Sequence, residues 1–175
     1  LGSVAHARME DVASHVYSQD SLALCEEMGS KDGRANVYYG LGELAVSHGD
    51  APAATRYLGE SRGHFEEQGD RLSVAGIDGM LSLLAADQGD LDEARRRLRA
   101  SLTLHFALNP SPDILAEIGH AARLALCSGD HALAARIWAA VVARREVEQR
   151  ASSPREAAGR ETGLEECREG LGIAR

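Results

Sequence analysis

A Gly-Asp pair recurs at Gly49-Asp50, Gly89-Asp90 and Gly129-Asp130, forty residues apart each time. A fixed period of that length restricts the chain to stacked repeats, because each unit buries its apolar face against the next. Val4-Ala5, Leu44-Ala45, Leu84-Ala85 and Leu124-Ala125 keep one phase of the period, and Ala54, Ala94 and Ala134 keep another. Gly29-Ser30, Gly69-Asp70 and Asn109-Pro110 mark the half-period. Each unit is therefore two segments of about twenty residues, both closed by a helix-stopping pair.

The segments read as helices. Leu41, Leu44, Ala45 and His48 recur at steps of three and four, as do Leu81, Leu84, Ala85 and Gln88, and strand-like alternation persists nowhere. Gly takes the left-handed conformation just past a helix end, and Asp caps the next helix by accepting backbone N–H bonds. Pro52 and the Asp92-Glu93 pair fall in first turns, where a missing N–H is tolerated and a negative charge is favourable. The predicted helices are 10–28, 33–48, 51–68, 71–88, 91–108, 112–128, 131–151 and 154–171, joined by loops short enough to force antiparallel neighbours.

The two ends differ from the middle. Residues 1–9 line up with 41–49 and read as the end of a helix whose beginning is missing, which leaves an apolar face for self-association as a homodimer. At the other end the period breaks. Ser153-Pro154-Arg155-Glu156 fits a capping box, and Ala157, Leu164, Cys167 and Leu171 form a narrow apolar stripe. A capping helix over 154–171 is expected there, weakened by Gly159, Gly163 and Gly170 at about 1 kcal/mol each.

Composition narrows the function classes. Aromatic residues make up only 4% of the chain, which favours helices packed through small side chains. A formal charge of -8 argues against direct nucleic-acid binding, which needs a basic face. Cys25, Cys127 and Cys167 are odd in number and widely spaced, a pattern of free thiols in a reducing compartment. No apolar run is long enough to cross a bilayer and no basic-then-apolar leader is present, so a cytoplasmic location without membrane contact is expected. The chain opens at Leu1 without Met and stops abruptly at Arg175, and it reads as a piece of a larger protein.

Within the period the residues resemble a tetratricopeptide repeat (TPR). Leu41-Gly42 resembles the Leu-Gly of that family's first helix, Gly49-Asp50 its inter-helix turn, and Ala54, Leu58 and Ser61 its small, large and small positions. Gly42 and Ala54 would let the two helices of a hairpin approach closely while Leu41 and Leu58 fill the space around the contact. The match thins along the chain: Leu81-Ser82 and Ala121-Ala122 replace Leu-Gly, and Arg97-Leu98 and Ile137-Trp138 replace Tyr57-Leu58. The forty-residue unit, and Ala134 to Ala140 followed by Arg144-Arg145-Glu146, are similar to the C-terminal helical-repeat region of large bacterial signalling ATPases and LuxR-type transcriptional regulators.

The resemblance implies an all-α, right-handed solenoid of antiparallel helix pairs. It would form one domain over 1–175, with units at about 1–30 (partial), 31–70, 71–110 and 111–153 before the cap at 154–171. It also implies that the first helix of each pair lines a concave groove. That groove would receive Asn36, Tyr39, Glu43 and Ser47 from one unit, Gly76, Gly79, Leu83 and Asp87 from the next, and Ala116, Gly119, Arg123 and Cys127 from the third.

Chemistry-bearing constellations are missing from the sequence. The seven histidines show no metal-ligand spacing, and His48, His64, His105 and His131 read as capping or exposed. No nucleophile elbow, Ser-His-Asp or Cys-His arrangement or phosphate loop is identifiable, so neither an enzyme nor a cofactor is expected. Asp92 and Glu93 stand four residues before Arg96 and Arg97, so intrahelical ion pairs absorb the run Arg95-Arg96-Arg97. The expected role is a non-catalytic scaffold for a protein or peptide partner, or for other domains of a parent regulator. The alternative is an inducer-sensing domain whose ligand sits between Tyr39, Leu83 and Leu126.

Overall fold

Each Gly-Asp pair closes one helix and opens the next. In the computed structural model Gly49, Gly69, Gly89 and Gly129 all have positive φ, between 72° and 84°. The N–H of Asp50 donates to the Ala45 carbonyl and that of Gly49 to the Val46 carbonyl, which together satisfy the last turn of the preceding helix. The Asp50 carboxylate then accepts the Ala53 N–H at 3.0 Å and caps the following helix. Asp70, Asp90 and Asp130 do the same for the N–H groups of Ser73, Glu93 and Leu133.

The structure describes residues 20–25, 27–108, 114–148 and 154–171. A helical stretch at 20–25 and 27 is followed by α1 (Lys31–Ser47), α2 (Ala51–Gln68), α3 (Arg71–Asp87), α4 (Leu91–Ala107), α5 (Ile114–Cys127), α6 (His131–Glu148) and α7 (Pro154–Gly170). No strand occurs among the described residues, and no helix there is long and apolar enough to cross a membrane. The boundaries lie within two or three residues of the predicted ones. The partial helix at 1–9, the start of helix 10–28, and the segments 109–113 and 149–153 lie outside the described residues.

The chain divides into two compact units, Leu1–Ile77 and Asp78–Arg175. In the first, α1 packs on α2. A Cβ on Gly42 would meet Leu58 Cδ2 at 2.6 Å, so glycine is what allows α1 to lie this close to α2. Ala54 and Leu58 are fully buried in this contact, and the Ser61 hydroxyl donates to the Ala35 carbonyl at 2.8 Å across the hairpin. Burial of a leucine side chain contributes about 1.5–3 kcal/mol.

The second unit repeats the pattern with different chemistry. Ala94, Leu98, Ser101 and His105 are buried on α4 in the register of Ala54, Leu58, Ser61 and Phe65 on α2. Ala85, Ala86, Ala94, Leu98 and Leu124 form one apolar cluster, and Ala122, Ala125, Leu126, Ala134, Trp138 and Cys167 another. The Ser82 hydroxyl donates to the Ala94 carbonyl at 2.8 Å.

The last helix corrects the expected break in the period. Pro154 stands forty residues after Ile114, so α7 takes the register of a first helix and packs on α5 and α6. Gly163 and Gly170, read as weak points, are contact points. A Cβ at Gly163 would overlap the Trp138 ring, and one at Gly170 would meet the His131 ring at 2.6 Å. The positions that hold Leu41, Gly42 and Ala45 in α1 hold Glu161, Thr162 and Glu165 in α7, all exposed. α7 thus carries polar side chains where α1 packs on α2, the pattern of a capping helix.

Candidate functional site

The groove positions of the first unit bond within their own helix. Asn36 Nδ2 donates to the Asp32 carbonyl at 3.0 Å, Ser47 Oγ to the Leu44 carbonyl at 2.7 Å, and Tyr39 Oη to Glu43 Oε1 at 3.3 Å. Asn36, Glu43 and Ser47 are exposed and Tyr39 is half-buried. Gly76 has open space where a Cβ would point.

In the second unit one groove cation, Arg123, is held by two carboxylates. Arg123 Nε donates to Asp87 Oδ1 at 2.9 Å and Arg123 Nη1 to Glu166 Oε2 at 3.0 Å, tying α5 to both α3 and α7. Desolvation opposes the Arg123 charge, but the hydrogen bond and attraction to Asp87, with the attraction of Cys127 and Glu166, together outweigh it and raise its pKa. Burial pushes the Cys127 thiol up, and the Arg123 charge offsets part of that rise. Leu83 is half-buried and Asp87 exposed. Glu166 was not among the expected site residues, since nothing in its local sequence points to Arg123.

Other expectations need correction. Gly79 is buried rather than lining open space, because the Glu117 carboxylate fills the volume its Cβ would take. Ala116 is half-buried, and Gly119 alone of the two second-unit groove glycines faces open space. Glu117, only 4% exposed, accepts from Ser101 Oγ at 2.9 Å and pairs with His120 Nδ1 at 3.3 Å. The signal was available: Glu117 stands in the register of Val37 and Ile77, and a charge at an apolar repeat position demands partners. His105, expected at the surface, is buried with its Nδ1 at 3.1 Å from the Ser101 carbonyl. Leu126, one wall of the inducer alternative, belongs to the α5–α6 core.

The arginine run is absorbed by carboxylates, with partners partly different from those expected. Arg95 pairs with Asp92 at 3.2 Å, Arg96 with Glu93 at 2.5 Å, and Arg97 with Glu93 at 2.7 Å and with Asp78 of α3 at 2.8 Å. All three cysteines are free thiols. No cluster of His, Cys, Asp or Glu able to hold a metal ion occurs among the described residues.

No protein-family model and no curated protein matches the chain. Two solved structures are similar to it, both of nearly identical TPR-like repeats from a Podosopora anserina kinesin light chain-like protein, one of them a point variant. They cover 95% of this chain and 87% of their own at 17% identity, with TM-scores of 0.59 for the variant and 0.57. At that identity the likeness speaks to architecture alone, and the architecture is that of TPR-like helical repeats.

Proposed function

We propose that this chain is a non-catalytic scaffold that binds a protein or peptide partner through the first helices of its repeats, as one domain over 1–175 of a larger bacterial signalling or transcriptional regulator. The observation that carries this reading is the TPR-like fold, in which helix pairs present side chains outward from a packed interior. The buried carboxylates of Asp78 and Glu117 are bonded to Arg97, Ser101 and His120, so they serve packing and are not arranged for acid-base chemistry on a ligand. The residues assigned to the partner are Asn36, Tyr39, Glu43 and Ser47 in the first unit and, in the second unit by itself, Leu83, Asp87, Arg123 and Cys127. A net charge of -8 favours partners with basic contact residues.

A photo-crosslinking residue placed at Tyr39 or Leu83 should capture the partner, while one at Glu60 or Arg99, exposed on second helices, should not. Equal capture from both kinds of position, or from neither, overturns the assignment of the binding face.

A further inference from the structure

One position changes its chemistry in each hairpin while its register stays fixed. In the α1–α2 hairpin Tyr38 and Tyr57 stack with centroids 6.4 Å apart, flanked by His64 on Tyr38 at 5.7 Å and by Arg56 over Tyr57 at 4.4 Å. Forty residues later the same two positions are Asp78 and Arg97, joined at 2.8 Å. Forty residues further they are Ile118 and Ile137, both half-buried, with Ile137 packed on the α5–α6 core. Aromatic meets aromatic, acid meets base, and aliphatic matches aliphatic.

The combinations that do not occur explain why this matters. The helices otherwise resemble one another closely: Ala54, Ala94 and Ala134 are each fully buried at one register. A second helix could therefore settle on the wrong first helix at little cost to small-residue packing. Were α3 to pair with α2 or α6 in the manner of a hairpin, Asp78 would face Tyr57 or Ile137 and lose its bond to Arg97 in the interior, a costly change for a buried carboxylate. α4 already packs on α5 as the helix of a neighbouring repeat, through Ser101 and Glu117; a hairpin-like pairing of the two would instead set Arg97 against Ile118. Pairing α1 with α4 is locally permissive, because Arg97 can sit on the Tyr38 ring, but it still takes Arg97 away from Asp78.

We propose that these three pairs act as a pairing code, matched within each hairpin and mismatched between hairpins, that directs each helix to its own partner and suppresses helix exchange between repeats and between molecules. The function of such a device is fidelity of folding. Buried polar groups are known to fix register in this way in other helical assemblies.

Two variants of the full chain test the idea. In the first, Asp78→Tyr and Arg97→Tyr give two hairpins the same aromatic pair. In the second, the same two substitutions are combined with Tyr38→Asp and Tyr57→Arg, so the pairs are exchanged and remain distinct. Each is refolded from denaturant as a mixture of two differently tagged copies, and co-purification through the second tag reports helix exchange. The expected result is a several-fold rise in co-purification for the duplicated variant, with the exchanged variant behaving as the parent chain. Equal behaviour of the two overturns the proposal, whether both refold cleanly or both fail, because local fit at the second hairpin would then decide the outcome. Greater exchange in the second variant than in the first overturns it as well.

Discussion

Arg97 Nη1 meets Asp78 Oδ1 at 2.8 Å, in the register where Tyr57 stacks on Tyr38 one repeat earlier. The Asp78 side chain is only 3% exposed, whereas Arg97 keeps 24% of its own in water. Removing Arg97 takes a charged hydrogen-bond partner away from a buried carboxylate, so Arg97→Ala should cost about 2–4 kcal/mol, somewhat below the range for fully buried pairs. Replacing both residues by leucine should recover most of that loss. Urea unfolding of the two variants beside the parent chain checks this, and a double variant no more stable than Arg97→Ala would count against it.

Two glycines of α7 should respond to alanine with opposite signs. A Cβ at Gly163 would enter the Trp138 ring, and overpacking of this kind costs about 1–3 kcal/mol. Gly159 has nothing within 4 Å of the same construction, so alanine there should stabilise the helix by up to about 1 kcal/mol. Hydrogen exchange of residues 158–171 should quicken in Gly163→Ala and slow in Gly159→Ala. Slower exchange in both would mean that Trp138 does not hold α7.

These glycines show where sequence reading stops. Helix boundaries were legible because a Gly-Asp splice is local: the backbone of Gly49 and the carboxylate of Asp50 act on residues within five positions. Long-range partners leave no local mark. Gly163 reads as a weak point because Trp138 lies on another helix, and Arg123 reads only as a groove position because Asp87 and Glu166 stand 36 and 43 residues away. His105 is an intermediate case. Its burial follows from Phe65 forty residues earlier, which the period displays to a reader who compares registers instead of helix ends.

Acid should weaken α4. Hydrogen bonds from Arg96, then Arg97, hold the Glu93 carboxyl down at about 2, from an ordinary 4.5. A carboxyl depressed on folding contributes stability that is complete above its unfolded pKa and is lost as pH falls through its folded one. That window runs from about 4.5 to about 2. Asp70, lowered mainly by the Ser73 hydroxyl, adds to the loss at the acid end. Glu93→Gln should be less stable than the parent at neutral pH and should lose less further stability across the window. Parallel stability curves for the two chains would contradict the assignment.

Arg123 opposes the burial that raises the Cys127 thiol, and it also bonds α5 to α7. Burial raises the thiol, the Arg123 charge lowers it, and the Asp87 and Glu166 carboxylates raise it again. In Arg123→Gln the one opposing charge is gone while both carboxylates stay, so less thiolate forms at a given pH. The midpoint of the Cys127 alkylation profile against pH should therefore move upward, read by mass spectrometry of the Cys127 peptide to separate it from Cys25. A looser α7 would admit reagent more easily, which scales the rate at every pH without moving the midpoint. The midpoint is thus the informative quantity. The stability loss itself should be about 0.5–1 kcal/mol and shrink in high salt, because Asp87 and Glu166 are nearly half exposed. An unmoved midpoint would mean that Arg123 is spent on its two carboxylates and leaves the thiol to burial alone.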